Sequence, residues 1–292
     1  MIPALPPLRV ARSSHPDYAP ARTRTVTVAG VEVGGGAPVV IAGPCTVESR
    51  AQTLAIARAC RAAGARMLRG GAFKPRTSPY SFQGLGREGL EILAEARAET
   101  GLPIVTEVLD PRLVSLVASF ADVLQVGSRS MQNFPLLTEV GRAGKPVLLK
   151  RGFGATLEEW VYAAEYVALG GCLEIIFCER GIRTFANGEY DRATLDVAAV
   201  RALRGLTPFP VIIDPSHAAG DAGLVPDLAA AALSLGVDGL LIEVVEAGAD
   251  RRRVKCDGEQ GIEPGELAAI VARAGSEADL RRAPLTPANA AP

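Results

Sequence analysis

Lysine and histidine are scarce in this chain of 292 residues. Only four of its 31 basic residues are lysines (Lys74, Lys145, Lys150 and Lys255), and its two histidines are His15 and His217. An excess of charge of one sign is also missing, because 32 acidic residues bring the net charge to −1. With the signs intermixed, there is no bulk electrostatic attraction for nucleic acid or for an anionic membrane, and neither is expected as a partner. No uninterrupted apolar run reaches the ~20 residues that cross a bilayer. The opening stretch, MIPALPPLRVARSSHPDYAPAR, has three early prolines and no apolar centre, so it does not read as a secretory signal. Five cysteines without paired spacing fit a reducing compartment better than a disulfide framework. These absences point to a cytoplasmic protein. What the chain does have is 48% hydrophobic residues, enough for a sizeable core and too many for a disordered chain.

Residues 1–24 read as a flexible Pro/Arg arm, and 276–292 as a frayed tail. Between them, residues 25–275 read as one domain without internal repeats. TVTVAGVEVGG (25–35) alternates about an Ala-Gly step and predicts a short β-hairpin. Eight short apolar runs then follow: PVVIAG, RMLRGG, LPIVTE, DVLQVG, PVLLKR, LEIIFCE, PVIIDP and GLLIEV. Ala- and Leu-rich stretches of helical spacing separate them, with glycines such as Gly64, Gly101, Gly170 and Gly236 at the expected helix ends. Eight buried-type strands alternating with eight helices predict a closed (β/α)8 TIM barrel, with the hairpin across its N-terminal mouth. An open doubly wound sheet uses the same alternation; the even count favours the barrel.

In such a barrel the chemistry sits at the C-terminal ends of the strands. Read in order, those ends supply Cys45, then Arg69 with Lys74, then Glu107, Arg129, Lys150, Glu179 with Arg180, Asp214 with His217, and Glu243. The opposite ends begin with residues such as Pro38, Pro146 and Pro210, which bring no charge. Two of four lysines and one of two histidines thus fall in a small set. Burying so many charges is costly unless they bind something. Cys45, His217 and Glu243, with Asp257 from the loop after the last strand, are candidate ligands for one divalent metal ion. A thiolate, an imidazole and two carboxylates suit Mn2+, Fe2+, Co2+ or Zn2+ rather than Ca2+ or Mg2+. A buried cysteine and a capping histidine would account for the same residues without an ion, and spacing alone leaves both readings open. Arg69, Lys74, Arg129, Lys150 and Arg180 would converge on a multiply charged anion. Arg76, Thr77 and Ser78 suit a second phosphate.

The stretches IAGPCTVESR, LRGGAFKPRTSPYSFQGLG, VGSRSMQNF, LLKRGFGATLEEW, CERGIRTF and DPSHAAG closely resemble the 3-deoxy-D-arabino-heptulosonate 7-phosphate (DAHP) synthases of the type I beta subgroup. GPC is shared with the sister 3-deoxy-octulosonate 8-phosphate synthases, which use arabinose 5-phosphate. KPRTSP separates the two, since the sister group typically carries Asn in that loop. The resemblance implies condensation of phosphoenolpyruvate with erythrose 4-phosphate to DAHP and phosphate, the first step of the shikimate pathway. It implies that Cys45, His217, Glu243 and Asp257 hold the metal, and that Arg69, Lys74, Arg129 and Lys150, with Arg180, bind phosphoenolpyruvate near the backbone of Ser128. Arg76, Thr77 and Ser78 would take the aldehyde substrate, with Asp214 beside its hydroxyls and the metal. Lys74 or Glu107 would move protons. The subgroup also implies a homo-oligomer, dimer or tetramer, and a possible chorismate mutase partner.

The chain departs from that pattern in three places. GSRSMQNF replaces the usual GARNMQNF, the loop after the last strand (VVEAGADRRRVKCDGEQGI) is unusually basic, and no regulatory domain is expected. The last two of these make a specialised-metabolism paralogue an alternative. Two other readings are a Schiff-base aldolase using Lys150 and a silent barrel that only binds a chorismate mutase. Cys256, beside Asp257, is either a plain loop cysteine or one able to reach Cys45 and form a disulfide when metal is absent.

Overall fold

The eight apolar runs become eight parallel strands because their side chains are buried on both faces, as a sheet wrapped in helices requires. In a computed structural model, which describes residues 8–18, 22–185, 188 and 190–282, these strands are β3 (Val39–Gly43), β4 (Met67–Arg69), β5 (Ile104–Glu107), β6 (Val123–Val126), β7 (Val147–Lys150), β8 (Ile175–Glu179), β9 (Val211–Ile213) and β10 (Gly239–Glu243). They close in sequence order, β10 pairing with both β3 and β9. The barrel is therefore the observed architecture, and the open-sheet alternative falls.

Alternation along each strand splits the core in two. Val40, Ala42, Leu68, Ile104, Leu124 and Ile242 face outward, in the same cluster as Leu54, Leu93 and Trp160 of the helices. Val39, Ile41, Met67, Val105, Val123, Leu148, Ile176, Ile212 and Leu241 face the barrel axis. The antiparallel hairpin of β1 (Val26–Val28) and β2 (Val31–Val33) joins this inner set with all four of its valines. Its turn places Ala29 at φ 45° and Gly30 at φ 83°, the two left-handed residues of the turn type that matches strand twist.

The surrounding helices are α1 (Arg50–Ala62), α2 (Arg87–Thr100), α3 (Val114–Ala118), α4 (Phe134–Arg142), α5 (Leu157–Gly170), α6 (Val197–Leu206), α7 (Pro215–Ala219), α8 (Val225–Ser234) and α9 (Pro264–Arg282). Their starts are capped from the sequence. Ser49 accepts from the Gln52 N–H, and Thr156 and Glu159 form a reciprocal capping box. Among the described residues no helix is long and apolar enough to cross a membrane.

Both ends of the domain differ from expectation. The arm expected to be loose over 1–24 is docked at residues 8–18: Val10 is fully buried, and the N–H groups of Arg9 and Val10 donate to the carboxylate of Glu165 on α5, each at 3.1 Å. A carboxylate in that buried place needs donors, and the arm supplies them. Arg12 adds bonds to the carbonyls of Arg204 and Thr207 at 2.8 and 2.9 Å. At the other end α9 runs to Arg282, past the expected boundary at 276. Residues 1–7, 19–21 and 283–292 lie outside the described residues.

Candidate active site

The side chains at the strand ends meet in two layers. The deeper layer is a cluster in which Cys45, His217, Glu243 and Asp257 each offer one ligand atom, all within 4.8 Å of one another. Asp214, at the end of β9, caps the five-residue α7 and thereby orients His217. Its Oδ1 accepts the His217 backbone N–H at 2.9 Å, and its Oδ2 faces Nδ1 at 2.7 Å. Because the carboxylate only accepts, Nδ1 carries the proton and Nε2 is left toward Glu243 Oε1, 3.3 Å away. Lys150 Nζ donates to the same Asp214 oxygen at 2.5 Å. Burial opposes ionisation of Asp214, but His217 and Lys150 outweigh it and hold the carboxyl well below its usual value. Burial pushes the His217 imidazole down to about 4 against the pull of Asp214 and Glu243, so the ring is neutral at neutral pH. A neutral imidazole is the form that ligates a metal.

Glu243 accepts from Arg69 Nη1 at 2.9 Å and from Gln260 Nε2. Its carboxyl is held low by His217, Arg69 and Lys74 despite burial. Asp257 sits at φ 50°, a conformation that Asp tolerates better than most residues. Lys74, His217 and Arg192 outweigh burial there and depress its carboxyl. Cys45 Sγ lies 2.8 Å from Lys74 Nζ, 3.3 Å from Asp257 Oδ2 and 3.3 Å from Cys256 Sγ. Burial, the contact with Cys256 and the charge of Glu243 push the Cys45 thiol up, against Lys74. Cys256 is not a plain loop cysteine: it is 1% exposed, packed on Cys45, and it accepts from Arg76 Nη1 at 2.6 Å.

The outer layer is a cavity of about 240 Å³. Arg69, Lys74, Arg76, Thr77, Ser78, Glu107, Ser128, Arg129, Lys150, Arg180, His217 and Asp257 all line it. Cys45 and Glu243 lie behind it, in contact with Lys74 and Arg69, and Asp214 is fully buried beneath. Two guanidinium nitrogens, Arg180 Nη1 and Arg69 Nε, are buried with no hydrogen-bond partner among the described residues. A cationic donor left so is costly unless an acceptor enters, and burial lowers the Arg180 pKa accordingly. Glu107 projects into the same space. Its carboxylate occupies the space that a Cβ on residue 127 would take, so a side chain there would displace Glu107. Burial raises the Glu107 carboxyl, with Lys74 and Lys150 opposing.

Three residues around the mouth escaped sequence reasoning. The Phe153 ring has Arg180 at 4.6 Å, Arg183 at 4.9 Å and Arg129 at 5.4 Å, steadying three guanidinium groups by cation–π contact. Its place in KRGF, two residues past the strand-end pair, was the available signal. Arg192 and Gln260 bond Asp257 and Glu243, and Gln260 could have been sought three residues beyond Asp257.

Residues 19–279 match the profile of the DAHP synthetase I family. The chain belongs to that family. It is 44% identical over 254 residues to the phospho-2-dehydro-3-deoxyheptonate aldolase of Thermotoga maritima, spanning 87% of this chain and 72% of that protein. A crystal structure of the Thermotoga maritima DAHP synthase superposes with a TM-score of 0.87 at 41% identity, over 96% of this chain and 79% of that one. A truncated form of the Thermotoga maritima synthase superposes at 0.82 and 38% identity, over 93% and 96%. The 2-dehydro-3-deoxyphosphooctonate aldolase of Syntrophotalea carbinolica is more distant, 36% identical over 82% of this chain and 90% of that protein. The activity is accordingly that of a 3-deoxy-7-phosphoheptulonate synthase, and family membership sets aside the silent barrel.

Proposed function

We propose that the mouth carries out the condensation of phosphoenolpyruvate with erythrose 4-phosphate through the following division of labour. Arg69, Lys74, Arg129, Lys150 and Arg180 hold phosphoenolpyruvate, its phosphate near the backbone of Ser128, and so fix its C3 toward the aldehyde. Arg76, Thr77 and Ser78, on the loop after β4, take the phosphate of the aldose. The unpaired Arg180 Nη1 and Arg69 Nε carry this reading, since a dianion supplies the acceptors that the protein does not.

The family is metal-dependent, and the donor set fits a divalent ion of the Mn2+, Fe2+, Co2+ or Zn2+ type: one thiol, one oriented neutral imidazole and two ionised carboxylates. Cys45, His217, Glu243 and Asp257 would hold it. When bound, it supplies Lewis-acid polarisation of the aldehyde oxygen. Lys74, whose ammonium is kept protonated by Cys45, Cys256 and Glu243 despite burial, gives a proton to the developing alkoxide. Glu107, its carboxyl raised by burial, assists when water adds at C2 of phosphoenolpyruvate. Asp214 holds His217 and Lys150. Its 2.5 Å contact ties Lys150 Nζ to a carboxylate rather than leaving it free to attack a carbonyl, which disfavours the Schiff-base alternative.

Phosphate release with erythrose 4-phosphate, against arabinose 5-phosphate and with chelator, tests the whole reading. Release with the first sugar, lost on chelation and restored by Mn2+, is expected; equal rates with both sugars would overturn the substrate assignment. We place the enzyme in the cytoplasm as a dimer or tetramer. Phe134, Tyr162, Tyr166 and Leu169, exposed together on α4 and α5, support self-association, which light scattering of the purified protein measures.

A further inference from the structure

Neither metal-side carboxylate is free to choose which oxygen it presents. Arg192, from the connection between β8 and α6, donates through Nη1 to Asp257 Oδ1 at 3.1 Å and to Gln260 Oε1 at 2.8 Å. A guanidinium can only donate, so the amide oxygen of Gln260 must face it. That orientation turns Gln260 Nε2 toward Glu243 Oε2, to which it donates. The outer oxygens of both carboxylates are thereby taken. The inner ones remain: Asp257 Oδ2, 3.3 Å from Cys45 Sγ, and Glu243 Oε1, 3.3 Å from His217 Nε2. Both inner oxygens also meet cations, Lys74 at 3.6 Å and Arg69 at 2.9 Å, and a carboxylate oxygen has lone pairs for more than one partner.

We propose that Arg192 and Gln260 act as one clamp that presents Asp257 Oδ2 and Glu243 Oε1 to the ion. They are positioning residues, acting through the carboxylates. Gln260 is 2% exposed, and a neutral amide there bridges two regions without adding a third negative charge to the cluster. The inference rests on the reading of Cys45, His217, Glu243 and Asp257 as ligands.

The test is calorimetric titration of the reduced, metal-free protein with Mn2+. Arg192→Ala and Gln260→Ala should each weaken Mn2+ binding by about 10–100-fold, the usual cost of losing an outer-sphere partner. The double variant should be little worse than the poorer single one, because either change breaks the same chain. At saturating Mn2+ the KM for phosphoenolpyruvate of Gln260→Ala, a residue outside the cavity lining, should stay near wild type, and so should the Tm of both metal-free variants, which a merely structural role would lower. Arg192 is 35% exposed, so its variant carries the test if Gln260→Ala folds poorly. Cys45→Ala separates the two claims. If it abolishes binding while both clamp variants bind within twofold of wild type, the clamp is wrong and the ligand set stands. If it binds Mn2+ like wild type, the ligand set itself falls, and the clamp with it.

Discussion

The two ends of this barrel are built from the same eight strands and share almost no chemistry. At the N-terminal end, Val26, Val28, Val31 and Val33 of the hairpin close the bore against Val39, Val105 and Val123, without a titratable side chain in that cluster that is ionised at neutral pH. At the C-terminal end, Arg69, Lys74, Glu107, Lys150, Arg180, Asp214 and Glu243 are all below 9% exposure. Burying apolar groups stabilises a fold, whereas gathering buried charges does so only when every one is paired. The contrast therefore separates the work of holding the barrel together from the work of holding a substrate.

The largest effect concerns thiols. Cys60 and Cys178 lie in the apolar parts of the barrel, where burial pushes their thiols up, to about 12 for Cys60. Cys256 is lowered instead, by its hydrogen bond with Cys45 and by Lys74, against burial. Peroxide should oxidise Cys256 to a sulfenic acid with loss of one water, and Cys45 should then condense with it, releasing a second water and forming a disulfide. We expect metal-free protein to lose two of its five free thiols and to stay inactive when Mn2+ is added back, until dithiothreitol reduces it. Mn2+ should protect, and Cys256→Ser should lose no disulfide-forming pair. Loss of Cys178 before Cys256 would mean that the apolar end is the reactive one.

Next comes Arg180. Replacing it by Met removes one charged partner of the anion and should raise the KM for phosphoenolpyruvate by about 10–100-fold. Stability should hold or rise, because the substitution also removes a buried donor that has no partner in the free protein. A fall in Tm of several degrees would show that the mouth helps to hold the barrel. The converse change is Val33→Ala in the fully buried hairpin plug. It should cost about 2 kcal/mol and lower Tm by several degrees, with kcat/KM near wild type.

How much of this was legible in the sequence follows the same division. The eight strand runs and the hairpin are periodic, and burial writes periodicity into sequence, so they could be read. Most site residues that could be read sit at or just after strand ends, where a periodic element fixes the position of what comes next; Arg76, Thr77, Ser78 and Asp257 lie farther out in the loops. Arg192 and Gln260 come from irregular connections, and their partners Asp257 and Glu243 were not visible as partners until the loops were folded. The docked arm was missed for a similar reason, since Arg9 and Glu165 are 156 residues apart. The helical stretch SEADLRR (276–282) lacks an apolar stripe and so looked like a tail.

The smallest expected effect is one of pH. Burial raises the Glu107 carboxyl above its usual value, with Lys74 and Lys150 opposing. The folded pKa thus exceeds the unfolded one, so the folded state binds the extra proton. The favourable contribution is fully present below the unfolded pKa and is lost as pH rises through the folded value. Glu107→Gln mimics the protonated form at every pH. It should therefore raise the Tm of the metal-free protein at about pH 8, and the gain should shrink to nothing as pH falls toward about 4. A gain independent of pH would mean that the amide merely packs better. A loss at high pH would mean that the carboxylate is a structural ion-pair partner of Lys74 and Lys150, which would place part of the barrel's stability at the mouth after all.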